Sequence, residues 1–202
     1  MENVTKRFPG VVANDQVTLE VEQGSVHALL GENGAGKSTL MKVLYGLYQQ
    51  NEGTVYLDGE VADFDDPQDA IEAGVGMIHQ HFMLVDTLTV AENIALGHEP
   101  QKWGGFGYDI DDARESVQEL SDRYGFKIDP DDKIEDISVG EQQRVEILKT
   151  LYRGADVLIF DEPTAVLTPQ EVEELFTIVQ ELTEQGKTII FITHKLGEAK
   201  EV

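Results

Sequence analysis

Two stretches of this chain, DVLIF at 156–160 and TIIFIT at 188–193, place apolar residues at consecutive rather than alternate positions. Successive side chains of a strand point to opposite faces. A strand with this pattern therefore needs both faces covered, the condition met in parallel sheets. Between the two runs, TPQEVEELFTIVQELTEQG reads as a helix. Thr168 is placed to cap it, Pro169 to open it and Glu171 to close a capping box, while Gly186 ends it. Val172, Leu175, Phe176, Val179 and Leu182 form its buried stripe. Strand, helix and strand in this order imply a parallel sheet with crossover helices, an α/β fold.

The first third reads as strands and turns. QVTLEVE alternates Val17, Leu19 and Val21 and predicts a half-buried strand. SVHALL is a short apolar run that leads into a glycine-rich loop. From Lys37 to Tyr48 the pattern is helical, with Leu40, Leu44 and Leu47 on one side. TVYLDGEVADF predicts a hairpin turning at Asp58-Gly59. The middle is helical and polar, with LTVAENIAL and DDARESVQELSDRYG as its clearest helices, and the glycine-rich loop GHEPQKWGGFGYDIDD between them reads as an excursion. No internal repeat is visible. Residues 1–4 read as the tail of a first strand and the chain stops eight residues after His194, so a piece of a longer protein is expected.

Composition narrows the function. No apolar run approaches the ~20 residues needed to span a bilayer, and MENVTKRFPG lacks the apolar core of a secretory leader. There is no cysteine, which excludes disulfides and thiolate metal sites and fits a cytosolic setting. The 39 acidic residues against 15 basic ones leave a net charge of −24. Such a surface repels phosphate backbones, so no nucleic-acid partner is expected. The acids are dispersed, with local runs such as DFDDPQD and DPDDKIED. They make either an ordinary solvated surface or an adaptation to a salty cytoplasm, where screening reaches only ~3 Å at molar salt.

The chemistry concentrates in a few motifs. GENGAGKST places Gly31, Glu32, Asn33, Gly34, Ala35, Gly36, Lys37, Ser38 and Thr39 between a strand and a helix, and its first eight residues fit G-x-x-x-x-G-K-[ST]. In such a loop successive backbone N–H groups face phosphate oxygens, the lysine reaches the β- and γ-phosphates, and the serine hydroxyl ligates Mg²⁺. Asp161 and Glu162 end the run DVLIF, where a parallel strand meets a ligand crevice. There Asp161 suits Mg²⁺ and Glu162 suits a general base for an attacking water. His194 ends the neighbouring run, within reach of the same water if the strands adjoin; on its own it reads rather as a polar residue at a strand end. His79 and His81 flank Gln80, but with no third ligand apparent they read as structural or surface residues. In ISVGEQQRVEILK, Ser138 and Glu141 form a capping box at the start of an amphipathic helix. That box does not require Gly140, which exposes backbone for close approach.

The order phosphate loop, glutamine, S-x-G-E-Q, apolar-Asp-Glu and histidine resembles the ATP-binding cassette ATPases over essentially the whole chain. The resemblance implies a phosphate-loop nucleotidase fold: a mostly parallel core sheet, an N-terminal antiparallel β subdomain, and a helical subdomain over about 83–150 inserted in one domain spanning 1–202. It gives Gln80 the role of a glutamine that contacts Mg²⁺ and couples nucleotide to a membrane partner. It makes His194 the switch histidine and SVGEQ the signature motif. It also sets Phe8, in KRFPG, where the family stacks an aromatic on adenine; the alternative is an anchor for the first strand. Two such cassettes close head-to-tail around two ATP molecules, so Ser138, Gly140 and Glu141 would meet the γ-phosphate held by another cassette. GVGMIHQHFMLVDTLTVAENIALGHEP, ISVGEQQRVEILKTLYRGADVLIFDEPTAVLTPQE and ITHKLGEAKE look like the first cassette of tandem-cassette importers for simple sugars and nucleosides, and HQHFMLV leans to the nucleoside branch. Ile137 replaces the usual leucine. Thr168 stands where most cassettes have aspartate, which implies two unequal ATP sites.

The expected setting is therefore the cytoplasmic face of a membrane, with permease subunits as direct partners and a solute-binding protein as an indirect one. A soluble cassette acting on ribosomes or DNA is the competing reading; it would need basic surfaces or long coiled-coil insertions. A non-hydrolysing nucleotide switch is disfavoured by intact Glu162 and His194. The charge of −24 leads to a test of salt adaptation. The melting temperature should rise as KCl approaches molar levels, because screening relieves self-repulsion. A flat or falling melting temperature between low and high KCl refutes the adaptation.

Overall fold

The fold is that of a computed structural model, which describes residues 1–80, 82–98, 100 and 109–202. In chain order the strands are β1 (Glu2–Phe8), β2 (Val11–Val17), β3 (Val26–Leu30), β4 (Glu52–Thr54), β5 (Tyr56–Leu57), β6 (Glu60–Val61), β7 (Val75–Ile78), β8 (Val157–Asp161) and β9 (Thr188–Thr193). The α-helices are α1 (Lys37–Leu44), α2 (Pro67–Glu72), α3 (Val90–Ala95), α4 (Ile110–Arg123), α5 (Val139–Tyr152), α6 (Pro169–Glu184) and α7 (Glu198–Glu201).

The non-alternating runs form one sheet in the order β3-β9-β8-β7, with every neighbouring pair parallel. Its two faces explain the sequence pattern. Leu158, Phe160, Ile189 and Phe191 point into a core shared with Ile147 and Leu148 of α5 and Leu175, Phe176, Val179 and Leu182 of α6. Phe160 and Phe191 stack there at a centroid distance of 6.1 Å. The intervening Ile159, Ile190 and Ile192 face a second core with Leu40, Met41, Val43 and Leu44 of α1. No inner position of β8 or β9 is free to be polar until the strand ends.

A separate antiparallel sheet runs β2-β1-β4, beside a β5–β6 hairpin. The hairpin turns where expected: Asp58 and Gly59 have φ of 51° and 82°, the left-handed pair that a two-residue turn needs. The helices between β7 and β8 pack on one another, with α3 against both α4 and α5. The expected loop between α3 and α4 lies partly outside the described residues, as does His81.

Three elements differ from expectation. The strand expected over QVTLEVE pairs only as far as Val17; Val17, Leu19 and Val21 still pack on the second core, held after β2 by the Leu19 N–H donating to the Met1 carbonyl. The helix expected to reach Tyr48 stops at Leu44, leaving Leu47 exposed. Gly46, at φ 74°, ends it, and a Cβ there would lie 2.5 Å from the Asp66 carbonyl oxygen. Finally, α5 is not amphipathic: even Gln143, Glu146 and Lys149 are buried along it, because other helices and β7 pack around it.

Candidate nucleotide site

Parallel pairing puts the carboxyl ends of β3, β7, β8 and β9 on one edge of the sheet. The glycine-rich loop, Gln80, Asp161-Glu162 and His194 follow those four ends. The loop is preformed. Gly34 and Gly36 adopt φ of 84° and 89°, and Gly36 sits immediately before α1. A Cβ on Gly36 would lie 2.3 Å from the Ala13 carbonyl oxygen, so only glycine fits. Lys37 Nζ donates to the carbonyls of Gly31 (2.7 Å) and Glu32 (2.9 Å), drawing the loop around its own ammonium. Asn14 Nδ2 braces it from β2 through the Gly36 carbonyl.

Residues 33–39, with Gln80 and Glu162, line a cleft of about 370 Å³. Its Ser38 ties distant parts of the chain together: Ser38 Oγ donates to Asp161 Oδ1 at 2.8 Å. Asp161 is only 8% exposed. A hydroxyl and a carboxylate oxygen side by side at the end of a helix fit Mg²⁺, a hard cation held through one or two carboxylates and substrate phosphates. Among the described residues there is no cluster of three or more His, Asp or Glu that would make a separate metal centre.

Glu162 has a left-handed backbone, φ 50°, unusual for a glutamate. Its N–H donates to the Ile192 carbonyl at 3.1 Å, and its Oε2 lies 3.3 Å from His194 Nδ1. Such a conformation costs about 1–3 kcal/mol and persists where surroundings enforce it, commonly at active sites. His79 stands apart, edge-on to Tyr45, and burial pushes its pKa down.

Ser138 and Glu141 form the expected capping box: Ser138 Oγ accepts from the Glu141 N–H, and Glu141 accepts from the Ser138 N–H at 2.8 Å. None of residues 138–141 lines the phosphate-loop cleft. Gly140 departs from expectation, because it is buried rather than exposed. Its N–H donates to Glu171 Oε1 at 3.0 Å, and a Cβ would lie 2.7 Å from that oxygen. Glu171 Oε2 meanwhile accepts from the Thr168 N–H and hydroxyl, each at 2.8 Å. One carboxylate thus caps two helices, α6 and α5, and an Arg144–Glu174 ion pair ties them again. The box T-x-x-E was visible in the sequence, but its second client was not.

Phe8 does not line the cleft. It pairs across the β1–β2 hairpin with Val11 and packs edge-to-face on Tyr48 at 5.3 Å. The apolar rim comes instead from Val11, Val12 and Ala13, which carried no motif. Val11 and Val12 are more than half exposed, and only their exposure beside the loop marks them.

A phosphate loop between β3 and α1, with an acidic pair ending a parallel strand beside it, defines the phosphate-loop α/β nucleotide-binding class. The ABC transporter family model matches residues 14–165. The chain is 59% identical over its whole length to a nucleoside import ATP-binding protein of Lactococcus lactis, covering 40% of that protein. It is 60% identical over 94% of its length to a guanosine import ATP-binding protein of Bacillus subtilis, covering 37% of it. A glucose import ATP-binding protein of Haloferax volcanii is 54% identical, with 42% of it covered. The ADP conformation of an ATP-binding cassette of an ABC transporter superposes with a TM-score of 0.86 at 27% identity, over all of this chain and 83% of that one. A dimeric cassette bound to ADP and Pi matches with a TM-score of 0.79 at 26% identity, over 99% of this chain and 89% of that one. The chain belongs to the ABC transporter family. It spans about two fifths of the length of the curated relatives it matches.

The shared carboxylate yields a pH prediction. Hydrogen bonds from Thr168, then from Gly140, hold the Glu171 pKa below its ordinary value of 4.5. A depressed pKa contributes stability above the unfolded value, and that contribution is lost as pH falls through the folded value. In molar KCl, which screens the net charge, wild type should therefore melt above Glu171→Gln at pH 6 to 7, with the gap closing below pH about 4.5. Melting curves of both proteins across this range check it; a gap independent of pH means the charge of Glu171 contributes nothing.

Proposed function

We propose that this chain is an ATP-binding and hydrolysing cassette of an importer that takes up a nucleoside or a simple sugar through a membrane permease. The observation that carries the reading is the contact of Glu162 with His194 on the sheet edge where Ser38 meets Asp161. A phosphate cradle alone would serve a switch or a kinase; adding a carboxylate and an imidazole in contact beside it suits hydrolysis. Residues 31–39 cradle the phosphates, with Lys37 turning from its own loop carbonyls to the β- and γ-oxygens. Ser38, Asp161 and Gln80 would hold Mg²⁺, which would supply charge neutralisation for the transferring phosphoryl group. Glu162 accepts the proton of the attacking water, and His194 holds Glu162 and the water in register. Phe8 serves the base from outside the phosphate cleft, paired across the β1–β2 hairpin with Val11, which stands with Val12 at the cleft rim.

The import names of the relatives support the solute class and the permease partner, with a solute-binding protein acting indirectly. No helix among the described residues is long and apolar enough to cross a membrane, in keeping with a peripheral place on the cytoplasmic face. Residues 1–202 act as one cassette, its helical part over about 83–150 inserted in the nucleotide-binding core. Ser138, Gly140 and Glu141 serve the ATP of a second cassette, packed head-to-tail. Gly140 can offer its N–H to that phosphate only after Glu171 gives it up.

Two measurements on the full-length protein test this. Glu162→Gln should leave nucleotide affinity nearly intact and slow phosphate release by ~10²–10⁴; near-normal release removes Glu162 from the role. Ser138→Asp keeps a good helix cap but opposes an incoming γ-phosphate. It should leave affinity at its own chain's phosphate loop within about threefold, because that loop supplies the binding, and abolish ATP-driven pairing of cassettes. Loss of nucleotide binding to this folded chain alone would mean that its signature serves its own site.

A further inference from the structure

The motifs leave Glu198 unassigned, yet it is the most heavily bonded buried carboxylate near the cleft. Thr164 Oγ1 donates to Glu198 Oε1 at 2.7 Å, and Thr193 Oγ1 donates to Glu198 Oε2 at 2.6 Å. Lys195 Nζ completes the group, 2.8 Å from Glu198 Oε1 and 3.1 Å from Thr164 Oγ1. The Lys195 N–H also donates to Thr193 Oγ1 at 3.0 Å. Glu198, Thr164 and Thr193 are respectively 8%, 5% and 2% exposed. Burial alone would raise the Glu198 pKa; the bonds from Lys195, Thr193 and Thr164 outweigh it and hold the carboxylate below its ordinary range.

The partners give this group its meaning. Thr164 belongs to the loop that carries Glu162, and Thr193 and Lys195 flank His194. The backbones of β8 and β9 remain tied only as far as the Glu162 N–H on the Ile192 carbonyl. Past that bond Glu198 spans the two segments, with Oε1 on Thr164 and Lys195 and Oε2 on Thr193. A left-handed glutamate needs surroundings that enforce it, and a clamp just beyond it provides them.

We propose that Glu198 is a positioning residue that sets the contact between Glu162 and His194 by clamping their two loops. This rests on the reading of Glu162 and His194 as the hydrolytic pair. A carboxylate suits the task because it accepts from two hydroxyls and an ammonium at once. Glutamine accepts through one oxygen only and carries no charge to hold Lys195, so Glu198→Gln weakens the clamp while keeping the volume.

The test uses the full-length protein, with phosphate release and nucleotide affinity measured side by side. Glu198→Gln should lower kcat by about ten- to a hundredfold, the cost of a misplaced reacting group, and leave nucleotide affinity within about threefold. Thr193→Val should do the same, whereas Thr193→Ser, which keeps the hydroxyl, should restore turnover. In a His194→Ala background Glu198→Gln should add less than about threefold, since the contact it sets is already gone. Should Glu198→Gln fail to fold by circular dichroism, the Thr193→Val and Thr193→Ser pair decides. Wild-type kcat in Glu198→Gln, equal loss in Thr193→Val and Thr193→Ser, or a full multiplicative loss in the His194→Ala background overturns the proposal. Absence of ATP turnover in the wild-type protein overturns the hydrolysis reading, and this one with it; a hydrolysing wild type with an unimpaired clamp variant overturns the clamp alone.

Discussion

The parallel pairing of β8 between β7 and β9 is the constraint on which the site depends. Parallel strands end on the same side, so residues 123 apart in the chain, Ser38 and Asp161, come within a hydrogen bond. The same geometry sets Gln80 and Glu162 on one cleft and brings His194 against Glu162. Nothing local holds these residues together. The apolar runs that precede them do so, because each must bury both faces and only at its end can the strand turn polar.

Two helix starts in this fold have anion-binding geometry, and they are treated differently. At α1 the glycine loop turns back on Lys37, whose ammonium occupies loop carbonyls while the cleft stays accessible. At α5 the start is already engaged by two carboxylates of its own chain, Glu141 and Glu171. Free N–H groups at a helix start favour negative charge. Here the protein supplies that charge itself, so any γ-phosphate arriving at Gly140 meets a competitor. The carboxylate involved also caps α6, which links the segment after Asp161-Glu162 to the signature helix.

The buried polar groups around the ends of β8 and β9 follow one rule. Asp161, Glu198, Thr164 and Thr193 are each nearly excluded from water, and each has a stated partner. A buried carboxylate without partners would be costly, so their satisfaction also makes this end of the sheet rigid. The remaining acidic residues are mostly on the surface, where a net charge of −24 makes solvent and salt part of the stability.

The sequence by itself determined the elements whose physics is local or periodic. It set the doubly buried strands, the capped ends of α5 and α6, the Asp58-Gly59 turn and the glycine loop, because spacing and backbone freedom suffice for these. Its motif order also determined the family. Tertiary structure alone decided what each polar group meets. It ended α1 at Gly46 because the Asp66 carbonyl crowds that point, and it buried α5 because helices and a strand close around it. It turned Phe8 onto Tyr48 and left Val11 and Val12 at the rim of the cleft. It assigned Glu171 to a second helix and joined Glu198 to two loops. Gly140 lies 31 residues from Glu171 and Thr164 lies 34 from Glu198, and a carboxylate on a helix carries no mark of which distant hydroxyl or amide will approach it until the strands have paired.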